Sequence, residues 1–182
     1  MYQKDENGEH GYHKRTKSNR VRCARRDWNP DKNYEMEIVY EVSTTPATTL
    51  DKGGNTKYVI RNAAYPSTSL TTSDTNVAAS SSALDSNNYV VIEGNKIKSV
   101  AKKQYFDGYN GNVSFNDSGT SYTISNSGTN FTISYTHKPL FGSSTTYYLK
   151  QTDNDSVTMS TGNNGYNNWQ FYEVTKKYVV KQ

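Results

Sequence analysis

The chain has 182 residues and a formal net charge of +4, enough for one ordinary domain and a short appendage. Its hydrophobic fraction is 32%, its aromatic fraction 13%, and Tyr occurs 16 times; disordered segments are poor in aromatics, so the composition points to a thin, Tyr-rich β fold rather than an unstructured chain. A single cysteine, Cys23, excludes an intrachain disulfide framework and a Cys-rich zinc site, and no stretch is long or apolar enough for a membrane-spanning helix.

The residues after Met1 have no apolar core, so no signal peptide is read there. Positive charge concentrates in Lys14, Arg15, Lys17, Arg20, Arg22, Arg25 and Arg26, and the rest of the chain is close to balanced. Arg20 and Arg22 alternate with Val21 and Cys23, which predicts a strand with one solvated face. With no recognition-helix or base-stacking pattern beside it, no nucleic-acid partner is expected. Cys23 has cationic neighbours but no adjacent base, and reads as structural. His10 and His13 lie three apart without a third ligand, so neither metal nor cofactor is expected. Residues 34–42 alternate Met36, Ile38, Tyr40 and Val42 against Glu35, Glu37, Val39 and Glu41, the pattern of a half-buried strand with a mostly acidic outer face. The Ser/Thr/Gly-rich stretch 43–55 reads as a linker.

From there the chain repeats itself. The first unit offers strands YVIR (58–61), SLTT (69–72), NVAA (76–79) and YVVI (89–92). The second offers KIKSV (96–100), QYFD (104–107), NVSF (112–115) and YTIS (122–125), and the third FTISY (131–135), YYLK (147–150), SVTM (156–159) and WQFY (169–172). Leu70, Phe106 and Leu149 are about 36 and then about 43 residues apart, as are Val77, Val113 and Val157 to within a residue, inside the usual range of structural repeats. Tyr89, Tyr122 and Trp169 follow as fourth-strand aromatics. The longer second step is an extra hairpin loop at 137–144, with Pro139 and Gly142 as its turn residues. Units of this size cannot bury a core alone and must share one.

This pattern resembles the β-trefoil of ricin-type lectin domains, in which three four-strand units each end on an aromatic; the alternative with the same strand count is a β-sandwich. The Gln-x-Trp signature of that family is absent, its place being taken by Asn87–Tyr89, Thr120–Tyr122 and Asn167–Trp169. The phrasing also looks like repeat domains of bacterial surface proteins. A second resemblance lies in residues 19–27, where Arg-Val-Arg-Cys is similar to the closing strand of C-type-lectin-like or formylglycine-generating-enzyme-like domains. The resemblances imply an extracellular or cell-surface module of a longer multidomain chain. The expected organisation is an upstream-domain end plus one strand (1–42), a linker (43–55), a β-trefoil-like domain (56–175) and a tail (176–182).

The segment 104–112 holds the candidate site. Asp107 is placed to accept hydrogen bonds from sugar hydroxyls, Tyr105 or Tyr109 to stack on a pyranose, and Asn110 and Asn112 to donate and accept. In the lectin family a second-strand Asp does this work, and Asp107 matches it; Thr71 and Lys150 stand there in the other units. Asp-Gly and Asn-Gly are equally preferred hairpin turn pairs. No nucleophile–base constellation, phosphate loop or His-Glu-x-x-His is present, so no enzyme is expected. The expected function is carbohydrate binding, with a structural or adhesion spacer contacting other proteins as the alternative.

Overall fold

The twelve strands of the predicted repeats all form, within about two residues of their expected bounds save the last, which runs on from Trp169 to Lys181. The computed structural model describes residues 35–162 and 164–181. The basic run, Cys23, His10, His13 and the Arg-Val-Arg-Cys resemblance lie outside the described residues. Residues Glu37–Val179 form one unit, and it is all-β with antiparallel pairing.

After β1 (Glu35–Val42), the first repeat supplies β2 (Lys57–Asn62), β3 (Ser69–Thr71), β4 (Ala78–Ser80) and β5 (Tyr89–Glu93). The second supplies β6 (Lys96–Ser99), β7 (Tyr105–Asp107), β8 (Ser114–Asn116) and β9 (Thr123–Ser127). The third supplies β10 (Asn130–His137), β11 (Thr145–Gln151), β12 (Val157–Thr161) and β13 (Trp169–Lys181). Short 3-10 turns at Ser86–Asn88 and Gly165–Asn167 lead into β5 and β13. Among the described residues no helix is long and apolar enough to cross a membrane.

Period-two alternation does the sorting: in β6, Ile97 and Ser99 are fully buried while Lys96 and Lys98 face outward. One sheet runs β12-β11-β10-β13-β2-β5-β6-β7-β8, with β9 on β10 and β1 on β13; β3 and β4 pair separately. Within each repeat the second and third strands form a hairpin of matching register, Leu70 opposite Ala79, Phe106 opposite Phe115 and Leu149 opposite Met159. The hairpins also bond to one another. Val77 N–H donates to Val113 C=O (2.8 Å), Ala79 N–H to Asp155 C=O (2.9 Å), and Gly111 and Met159 exchange two bonds (2.9 and 2.8 Å).

Leu70, Phe106 and Leu149 meet in one buried cluster with Val77, Val113 and Val157. Their carbonyls are treated alike. Each accepts a donor from the approach to, or the start of, the fourth strand: Asn88 Nδ2 (2.9 Å) to Leu70, Thr120 N–H (3.0 Å) to Phe106, and Trp169 Nε1 (2.8 Å) to Leu149. Three chemically different donors thus satisfy the same buried acceptor.

Four expectations need correction. The fourth-strand alignment slips by one residue in the first repeat. Val90, not Tyr89, joins Tyr122 and Trp169 in the main cluster, and Tyr89 packs with Val59 and Val174 on the other side. A one-residue change of register turns every side chain to the opposite face. β1 is not half-buried; it is exposed along its length save Val42. The stretch 43–55 is fastened rather than free. Ser43 N–H bonds Glu173 C=O and Ala47 N–H bonds Phe171 C=O (both 2.8 Å), the Tyr58 hydroxyl accepts from Asp51 N–H (2.8 Å), and Ala47 and Leu50 pack on the core. The supposed tail from 176 continues β13 as far as Lys181, with Lys177 ion-paired to Glu41.

Candidate functional site

The strand alternation of β7 turns Phe106 inward (1% exposed) and leaves Tyr105 and Asp107 on the outer face. They do not face a common pocket, because each is taken by a different neighbour.

Asp107 Oδ1 accepts a hydrogen bond from Thr120 Oγ1 (2.9 Å), and the same hydroxyl oxygen accepts from Gly108 N–H (3.0 Å). The Tyr122 hydroxyl donates to Gly108 C=O (2.7 Å), and Ser114 Oγ donates to Asp107 C=O (3.2 Å). Burial of Tyr122 raises its pKa above the ordinary phenol value, so it remains a neutral donor. Gly119 makes this return possible. Its φ is +65°, and a Cβ there would run into the side chain of Tyr105. Only glycine combines that backbone with so close an approach.

Tyr105 turns the other way. Its hydroxyl donates to the Glu93 carboxylate, which also receives Lys98 Nζ at 3.3 Å. The Tyr105 hydrogen bond, with Lys98 assisting against desolvation, lowers the Glu93 pKa, and the bond to Glu93 raises that of Lys98. The Lys98 ammonium lies 4.9 Å from the centre of the Tyr105 ring, a cation–π contact.

Tyr109 leaves the hairpin altogether and lies against β10 and β11. Its ring stacks on Tyr135 (centroids 4.8 Å apart, 29° between planes) and on His137 (5.2 Å, 6°), with Tyr147 edge-on at 5.8 Å. Tyr135 and His137 share one face of β10, and Tyr147 is the registered partner of Tyr135. Tyr109 remains 37% exposed. Asn110 and Asn112 are exposed on either side of Gly111, whose bonds to Met159 pin that turn to β12.

The structure therefore separates the five expected residues. Asp107 and Tyr105 serve the fold around them, while Tyr109, Asn110 and Asn112 sit on the outer turn beside an aromatic group on the neighbouring hairpin. Tyr135, His137 and Tyr147 were missed. Their strand spacing was readable, but the pairing that brings Tyr109 across them was not. The positions equivalent to Asp107 differ in kind: Lys150 is buried and donates to Thr161 C=O at 2.5 Å, while Thr71 makes a local bond to Ser73.

Among the described residues no group of three His, Cys, Asp or Glu side chains converges for a metal ion. An open depression of about 280 Å³ lies between the fastened segment 43–49 and Glu173, away from all of these residues. In comparisons with known proteins, no family model matches the chain and no curated protein is significantly similar to it.

Proposed function

We propose that residues 56–175 are a β-trefoil-like, non-catalytic binding module of a surface or exported protein, with carbohydrate as its ligand. Three equivalent hairpins with shared register, linked to one another, support the threefold reading. So does the chain of pairings β13-β2-β5-β6 together with β9-β10-β13, which the Tyr122 N–H to Asn95 C=O bond (2.8 Å) links between the β5–β6 turn and the start of β9. Such closure leaves few free edges to aggregate.

The observation that carries the ligand assignment is the Tyr109 ring, braced by Tyr135, His137 and Tyr147 yet partly open, with Asn110 and Asn112 beside it. An aromatic held in place by other rings loses little conformational freedom when a pyranose face stacks on it, and the two amides offer both donors and acceptors to hydroxyls. Asp107 acts indirectly, through the Thr120 bond that sets the start of this turn.

A glycan array with wild type and Tyr109→Ala tests the reading. Wild type is expected to bind a subset of glycans and the variant to lose at least about tenfold in affinity, the scale of one stacked aromatic in a binding site. The internally satisfied Asp107 favours a second reading, a structural or adhesion spacer. Wild type that binds no glycan would leave that spacer as the function.

A further inference from the structure

The extra loop of the third repeat ends β10 and begins β11, and its apex carries Leu140 and Phe141, 91% and 87% exposed. No other large apolar side chains among the described residues are so exposed, the next reaching 47%. Surface apolar residues are ordinary when scattered, but two adjacent ones at the apex of a hairpin between Pro139 and Gly142 form a convex wedge. The charge along this hairpin's own sequence is one-sided. From Asn130 to Gln151 the sequence contains no Asp or Glu, and Lys138 stands two residues before Leu140.

We propose that this apex inserts shallowly into an anionic lipid surface, with Leu140 and Phe141 entering the acyl boundary and Lys138 meeting the headgroups. Shape argues for lipid. A protein partner would need a pocket for the wedge, and two side chains supply only a small part of the roughly 1,200 Å² that a specific protein interface buries. A bilayer accepts a convex apolar tip without a preformed pocket, and basic residues near an anionic leaflet add to the attraction. Tyr135 and Tyr147 lie further down the same hairpin, with Tyr109 of the β7–β8 turn stacked on Tyr135, where amphipathic rings suit the headgroup level. A single wedge with one lysine binds weakly and reversibly. The inference rests on Leu140, Phe141 and Lys138, which take no part in the carbohydrate reading.

The test is cosedimentation of the full chain with phosphatidylcholine vesicles, with and without phosphatidylglycerol. Wild type is expected to sediment with the anionic vesicles. The Leu140→Ser/Phe141→Ser double variant is expected to lose about tenfold or more, and Lys138→Gln about fivefold. Both changes lie on exposed turn residues, so an unchanged circular-dichroism spectrum should accompany the loss. In a Phe141→Trp variant, indole emission should move to the blue with anionic vesicles. Failure of wild type to bind, or binding indifferent to the double variant, overturns the proposal. An emission shift that follows protein concentration without lipid also overturns it and makes the tip a protein contact.

Discussion

Two hairpins of this molecule use similar residues to opposite ends. In β7–β8 and the segment returning to β9, polar groups turn back on the chain: Asp107 to Thr120, Gly108 to Tyr122, Tyr105 to Glu93. In β10–β11 the outward residues find other rings or solvent instead: Tyr135 and His137 stack under Tyr109, and the apex at Leu140 and Phe141 is bare. An Asp beside aromatics and amides is the alphabet of sugar recognition and of turn-making alike. Which use prevails depends on a hydroxyl arriving from thirteen residues downstream.

The sharpest way to break this contrast is to remove one phenyl ring from each hairpin. Phe106→Ala should cost about 3–5 kcal/mol in denaturant-unfolding stability, as expected for a fully buried aromatic. Phe141→Ala should stay within about 0.5 kcal/mol, as for an exposed site. Comparable losses would mean that the apex is covered in solution. A smaller effect is expected from Thr120→Val, which leaves the Asp107 carboxylate and Gly108 N–H without their shared partner. A loss of about 1–3 kcal/mol by the same measurement is the scale of such unsatisfied groups. No loss would return Asp107 to the list of groups available to a ligand.

The smallest effect concerns a carboxylate whose partners are local. Asp153 accepts the backbone N–H groups of Ser156 (2.7 Å) and Asp155 (3.1 Å). These bonds, Ser156 first, lower its pKa from 3.8 to about 2. The folded value lies below the unfolded one, so the stabilisation is complete above pH 3.8 and is lost as pH falls through about 2. Asp153→Asn should flatten the acid limb of a stability–pH profile across that window, and an unaltered limb would remove Asp153 from the account.

The strands were legible because period-two alternation and turn residues are local signals. The repeat was legible because Leu70, Phe106 and Leu149 keep their spacing relative to Val77, Val113 and Val157. What failed was everything decided by a distant partner. Aligning the fourth strands by their aromatics puts Tyr89 beside Tyr122 and Trp169, whereas the face that a residue shows follows from the pairing of Tyr58 with Val90. β1 alternates like a half-buried strand, yet its neighbour is the far end of β13, which offers no core. The stretch 43–55 has a linker's composition, but backbone bonds to Phe171 and Glu173 ignore side-chain identity. At the site, Tyr105, Asp107 and Tyr109 are two residues apart and read as one face; the turn at Gly108 and the aromatic group on β10 send them to three destinations.

The ladder between β2 and β13 joins Lys57 to Val174 and Asn62 to Trp169, so an early segment of the unit is locked by a late one. During synthesis, β2 emerges from the ribosome long before its partner exists. The buried Ile60, which faces Phe171 in that ladder, must wait until nearly the entire repeat region has been translated. Such a chain assembles late and slowly, and a messenger cut short before Trp169 would release a protein with its first strand still seeking a mate.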